Sequence, residues 1–124
     1  MSTCPFCQPD PNNILLECLL TYALWDNYPI STGHVLIVPK RHIPSLFNAN
    51  LEEQTALLVT LDQARQHLNQ AYHPDGYNIG INDGKTAGQT IPHLHIHLIP
   101  RYQGDCQDPR GGIRWLFPEK AKYW

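Results

Sequence analysis

The stretch Thr90-Ile91-Pro92-His93-Leu94-His95-Ile96-His97-Leu98-Ile99-Pro100 constrains this chain most. Three histidines alternate with Leu94, Ile96 and Leu98. Period-two alternation predicts a half-buried β-strand, whose successive side chains point to opposite faces. Leu94, Ile96 and Leu98 would enter a core, and all three imidazoles would share the other face. Imidazole serves metal binding, nucleophilic attack and proton transfer near neutral pH. A His-rich solvent-facing strand would have the same pattern, so partners elsewhere in the chain decide its meaning.

The chain has 124 residues, enough for one domain with a core that needs no disulfide staples. A net charge of −2 argues against a general nucleic-acid binder, which would be basic. No apolar run reaches the length of a membrane span. Met1-Ser2-Thr3 starts neither a basic nor an apolar leader, so the cytoplasm is the expected compartment. Four cysteines then read as thiols or metal ligands rather than as a disulfide framework.

Cys4-Pro5-Phe6-Cys7 is half a zinc site or a redox dithiol. The redox reading wants a strand before it and a helix after it, and there is no room for that strand. Leu16 to Trp25 predicts one or two strands of a hairpin, with Cys18 in the core. His34 to Pro39 is β-branched, follows Gly33 and reads as a central strand. His42, just beyond it, is by itself a surface loop residue. Asn50-Leu51-Glu52-Glu53 is a capping box. Leu57, Leu61, Ala64 and Leu68 then recur at helical steps, which predicts one long helix over Leu51–Tyr72. Tyr77–Asn82 alternates as a strand, with Tyr77, Ile79 and Ile81 on one face and Asn78, Gly80 and Asn82 on the other. Asp83–Thr90 is a Gly-bearing loop that could hold an anion, although it lacks the P-loop pattern. Asn82 is also a residue favoured in turns. In the tail, residues 101–124, Ile113–Phe117 reads as a short edge strand.

His93-Leu94-His95-Ile96-His97-Leu98-Ile99 resembles the histidine-triad (HIT) motif. Gly33-His34, Val38-Pro39-Lys40-Arg41-His42 and Ala87-Gly88-Gln89-Thr90 resemble the segments around it in that family. The likeness runs over about Cys4 to Arg101. It implies a single α+β domain, 1–124, with an antiparallel sheet and one long helix, paired with a second copy into a continuous sheet. It implies a hydrolase that cleaves a phosphoanhydride or phosphoramidate bond at the α-phosphorus of a nucleotide. His95 would be the nucleophile and form a nucleotidyl-histidine; a covalent step divides one hard displacement into two. Charge develops on phosphoryl oxygens, so donors must be aimed there. His97 and the residues Gly88, Gln89 and Thr90 would supply them. Asp26 would line the ribose side, Asn82 would contact ribose or phosphate, and His34 would lie behind the triad and orient it. His97 stands where the nucleotidyltransferase branch usually has Gln, which favours hydrolysis.

Some branches of the family also carry zinc. By that likeness Cys4, Cys7, His42 and His93 would form a closed structural Cys₂His₂ site, with residues 1–13 as knuckle and loop. Three other readings stay open: a zinc-containing nucleotide-binding protein with little catalysis, a nucleotidyltransferase or phosphorylase, and a metal enzyme in which His93, His95 and His97 hold one ion. The expected partners are a nucleotide and a second copy of the chain, not a nucleic acid or a membrane.

Overall fold

The computed structural model describes residues 4–124. The leader reading of Met1-Ser2-Thr3, and with it the first three residues of the knuckle, lie outside the described residues. Five strands form one antiparallel sheet: β1 (Ile14–Glu17), β2 (Thr21–Trp25), β3 (Val35–Pro39), β4 (Gly76–Gly80) and β5 (Ile96–Arg101). Their order across the sheet is β1-β2-β3-β5-β4. The predicted central strand is central, and all five of its residues are buried.

One helix, α1 (Leu51–Tyr72), covers one face of the sheet. Its capping box forms as the sequence predicts: the Asn50 side chain accepts from the Glu53 amide, and the Glu53 carboxylate accepts from the Asn50 amide. That satisfies two of the N–H groups a helix start leaves without partners. Glu53 is buried, and Arg41 pairs with both its oxygens, at 3.0 and 2.7 Å. Leu57, Ala64 and Leu68 of α1 meet Ala23, Val35, Ile37, Ile96 and Leu98 in the main core. Thr60 and Thr21 meet across this interface by a 2.6 Å hydroxyl bond. No helix among the described residues is long and apolar enough to cross a membrane.

The opposite face is covered differently. Phe6, Leu24, Leu36 and Val38 make a second, smaller core under the N-terminal segment. The alternation of β5 splits its side chains between these two faces, with Ile96, Leu98 and Pro100 buried and His97 half-buried on the other side.

The structure departs from the expected elements in four places. The strand carrying the histidines starts at Ile96, so His93 and His95 precede it; Ile91 to His93 is a bend closed by a His93 N–H to Ile91 carbonyl bond of 2.8 Å. Pro92 removes a ladder donor there. β4 ends at Gly80 rather than Asn82, and Ile79 is exposed because β4 is the outermost strand. Cys18 is half-buried between β1 and β2, with Sγ 3.7 Å from Gln63 Oε1, rather than a core residue. Ile113–Phe117 is not a strand: Gly112–Leu116 forms a 3₁₀ turn leading to a short helix, α2 (Pro118–Ala121). Arg114 holds this tail together by bonds to the Ala121 and Lys120 carbonyls.

Candidate active site and metal centre

The strand registers place the site. In the β2–β3 ladder Trp25 lies opposite Val35, and the Asp26 N–H continues the pairing to the His34 carbonyl at 3.1 Å. In the β3–β5 ladder Leu36 lies opposite His97. Paired residues share a face and diagonal neighbours come within reach. Asp26, His34 and His97 therefore converge on the face away from α1. His34 Nε2 lies 2.9 Å from His97 Nδ1 and 3.3 Å from Asp26 Oδ2.

Hydrogen bonding assigns the tautomers along this chain. The Ile30 N–H donates to His34 Nδ1 at 3.3 Å, so the His34 proton sits on Nε2. That proton is shared between His97 Nδ1 and Asp26. His97 Nδ1 is then an acceptor, and its own proton sits on Nε2. Burial lowers the pKa of both rings, for His97 with help from His95 and His34, and Asp26 opposes the shift in each. Both rings are neutral at pH 7, as these tautomers require.

His95 is buried, and its Nδ1 lies 2.8 Å from the His93 carbonyl oxygen. A carbonyl only accepts, so the proton is on Nδ1 and the lone pair is on Nε2. His95 and His97 both line a groove on this face, their rings 5.2 Å apart. Asp26, Asn82, Gly88 and Thr90 line the same groove. Gly88 has a φ of +98° that ends the loop turn before Thr90, a backbone few other residues adopt.

Gln89 differs from the expectation. Its Oε1 accepts from the Gly84 N–H at 2.8 Å, and its Nε2 donates to the carbonyls of Pro44 (2.8 Å) and Ile91 (3.1 Å). Its amide is engaged in fastening the loop, and it does not line the groove. Asp26, expected on the ribose side, also reaches behind the triad to His34.

His93 meets a different set of partners from its neighbours. It is fully buried, and its Nε2–H donates to the Pro39 carbonyl at 2.7 Å, which leaves Nδ1 with a lone pair. That Nδ1 lies 3.4 Å from Cys4 Sγ, 3.6 Å from Cys7 Sγ and 3.1 Å from His42 Nδ1. Cys7 Sγ and His42 Nδ1 are 3.1 Å apart. The antiparallel β3–β5 pairing explains the meeting, since residues just after β3 lie beside residues just before β5. The Leu94 N–H to Ile43 carbonyl bond, 2.7 Å, joins the two segments. Tetrahedral zinc with ordinary Zn–S and Zn–N bonds needs donor separations of about 3.3 to 3.8 Å. The two His93–sulfur distances fall in that range and the two distances from His42 are slightly shorter; all four donors lie within 4.8 Å of one another, a Cys₂His₂ set that could hold a metal, with a carbonyl-fixed imidazole as is usual behind a metal-bound histidine. The reading in which His93, His95 and His97 hold one ion fails on this geometry: His93 gathers with Cys4, Cys7 and His42, and His97 with Asp26 and His34.

Phe6 was not among the residues the sequence singled out. It is buried, with its ring 5.1 Å from that of His95 and 5.7 Å from that of His93. The only trace of it in the sequence is an aromatic residue inside the CxxC.

A family model described as the HIT domain matches residues 8–104. A bis(5'-nucleosyl)-tetraphosphatase (asymmetrical) of Schizosaccharomyces pombe is 36% identical over 100 residues, 81% of this chain and 55% of that protein. A bis(5'-adenosyl)-triphosphatase of Dictyostelium discoideum is 38% identical over 97 residues, 78% of this chain and 65% of that protein. The chain thus spans between about half and two thirds of the length of these relatives. A Zn-bound histidine triad family protein from Mycobacterium smegmatis superposes with a TM-score of 0.76 at 32% identity, covering 86% of this chain and 80% of the other. The triad, the sheet that carries it and these likenesses agree: this chain belongs to the HIT-domain family.

Proposed function

We propose that this chain is a nucleotide hydrolase acting at an α-phosphorus, with a dinucleoside polyphosphate or a nucleoside phosphoramidate as substrate. The observation that carries the reading is the tautomer of His95, whose Nδ1–H is held by the His93 carbonyl. Its Nε2 lone pair is then the nucleophile. Attack forms an Nε2–Pα bond and breaks the bond from Pα to the leaving group, which departs with the electron pair and takes a proton from solvent. Water then attacks Pα and releases one proton to solvent; the P–N bond breaks with its electron pair returning to Nε2, and His95 is again a neutral imidazole with its proton on Nδ1. The proton on His97 Nε2 faces charge developing on the phosphoryl oxygens, and His34 and Asp26 keep it there. Gly88, Thr90 and Asn82, which line the groove, would meet phosphate and ribose. The names of the relatives from S. pombe and D. discoideum support the dinucleoside polyphosphate class.

Cys4, Cys7, His42 and His93 would hold zinc, and four protein ligands leave no position for a reacting water, so its part would be structural. The outer edge of β4 has no strand partner among the described residues and exposes Ile79. Such an edge pairs readily with another chain, and we assign it to a second copy.

Mass spectrometry of protein mixed with a dinucleoside polyphosphate and quenched early tests the mechanism. A nucleotide adduct on His95 is expected, and it is lost in His95→Ala with the fold retained. Turnover without an adduct would overturn the covalent route. Nucleotide binding with no turnover would leave a binding protein.

A further inference from the structure

Residues 105–124 lie beyond the part of the chain that the HIT-domain model matches. They are nonetheless part of the groove: Ile113, Trp115, Leu116, Phe117 and Lys122 line it together with His95 and His97. Ile113, Leu116 and Phe117 are 70%, 71% and 63% exposed. Large apolar side chains gathered in the open mark a surface that something covers. The segment that carries them is firmly built. The Trp115 Nε1–H donates to the Arg110 carbonyl at 2.8 Å, and the Arg110 guanidinium lies 4.6 Å over the Trp124 ring. Arg114 donates to the carbonyls of Ala121 and Lys120, and Ala121 is fully buried.

Strand order says which side of the groove this platform occupies. Asn78 and Gly80 of β4 lie opposite Ile99 and His97 of β5. Alternate residues of a strand share a face at a spacing of about 7 Å, so Asn78 stands one step along the ladder from His97. The tail is fastened there. A Cβ added to Gly112 would meet Asn78 Nδ2 at 3.4 Å, and Arg101 donates both to Asn78 Oδ1 at 2.6 Å and to the Asp105 carboxylate at 2.8 Å. Asp26 follows β2, on the other side of β5 from β4. A nucleotide with its ribose by Asp26 and its α-phosphorus at His95 directs its leaving group away from β2, toward β4 and the tail.

We propose that the tail is the leaving-group subsite, in which Trp115 and Phe117 take the second nucleobase of a dinucleoside polyphosphate and Lys122 meets the phosphates before it. The inference rests on the hydrolase reading above and narrows its substrate class. Aromatic side chains stack on a base whatever its identity, and a lysine ammonium suits phosphate as a point charge. The acids nearby are answered: Asp105 pairs with Arg101 and Asp108 with Arg110. The small amine released from a phosphoramidate would leave the apolar surface uncovered.

The second nucleoside is isolated by comparing a diadenosine polyphosphate with an adenosine polyphosphate that has the same number of phosphates and one adenosine. Affinities for both are measured by calorimetry on His95→Ala protein, which binds without turnover, and on the same protein carrying Phe117→Ala, Phe117→Tyr or Trp115→Ala. The two-adenosine ligand should bind about five- to a hundred-fold more tightly to the parent, the range expected for stacking one base. Phe117→Ala and Trp115→Ala should bring that ratio toward one, and Phe117→Tyr should keep it. With His95 restored, the same two alanine variants should lower kcat/KM for the diadenosine polyphosphate by a similar factor. If Trp115→Ala fails to fold, Phe117→Ala carries the comparison, because its side chain is exposed. Equal affinities for the two ligands in the parent, or an unchanged ratio in the alanine variants, would overturn the subsite. An unchanged ratio with a shift of Phe117→Ala toward monomer in sedimentation would also overturn it and assign the surface to a second copy. Absence of turnover of the diadenosine polyphosphate by wild type would instead overturn the hydrolase reading, while the affinity ratios still decide the subsite.

Discussion

At the scale of single residues, what separates the three histidines is the oxygen or nitrogen behind each ring. His93 is fixed by the Pro39 carbonyl, His95 by the His93 carbonyl and His97 by His34. His93 turns its Nδ1 to the cysteine–histidine cluster, whereas His95 and His97 both leave Nε2 free beside the groove, as a lone pair and as an N–H. The same burial sets a pH dependence. The pKa values of His34 and His97 lie below 6.5 in the folded state, chiefly through desolvation. Below pH 6.5 the unfolded chain therefore binds protons that the folded chain resists. Stability from these groups is fully present above 6.5, and is lost as the pH falls through their folded values. Urea unfolding at pH 7.5 and 5.5 should show lower stability at 5.5, and His97→Gln should shrink that difference. An unchanged difference in His97→Gln would place the effect elsewhere.

At the scale of elements, α1 and the loop before β5 rest on specific caps and staples. The Asn50 and Glu53 exchange is worth about 1 kcal/mol at the N-cap, so Asn50→Ala should lower unfolding stability by about that amount in chemical denaturation. Leu98, fully buried between β5 and α1, is a harsher site. Leu98→Ala should cost about 3 kcal/mol, through lost burial and the cavity left behind. Gln89 makes three bonds that tie Gly84, Pro44 and Ile91 together. Gln89→Ala should speed hydrogen exchange over Asp83–Thr90 and leave exchange in α1 as it was. These elements were largely legible in the sequence: the helix has the predicted ends, the hairpin and β3 lie where their patterns put them, and β4 is shifted toward Gly76 and ends two residues early. The Ile113–Phe117 strand did not form. Its apolar run was too short to tell strand from turn, and Gly111 and Gly112, both at positive φ, turn the chain just before it.

At the scale of the whole molecule, the knuckle, the end of β3 and the start of β5 are joined at one point, so metal loading should report on all three. A ligand that binds only the folded state raises the melting temperature with its concentration. Zinc should therefore raise the melting temperature of stripped wild type, and Cys7→Ser should lose most of that response. Calorimetric scans at stepped zinc concentrations check it. The exposed Ile79 on the outer strand belongs to this scale too. Ile79→Lys should shift the protein toward monomer in sedimentation equilibrium if β4 is the pairing edge.

The sequence by itself determined the extent and capping of α1 and the order of the main strands, because these depend on local period and local hydrogen bonding. Leu94, Ile96 and Leu98 do enter the core as their alternation implies. Only the tertiary structure decided which partners each histidine meets. The registers of β3 against β2 and β5 then bring Asp26 and His34 to His97, and carry His42 and the knuckle to His93. No local pattern encodes such pairings, because each depends on which strands become neighbours.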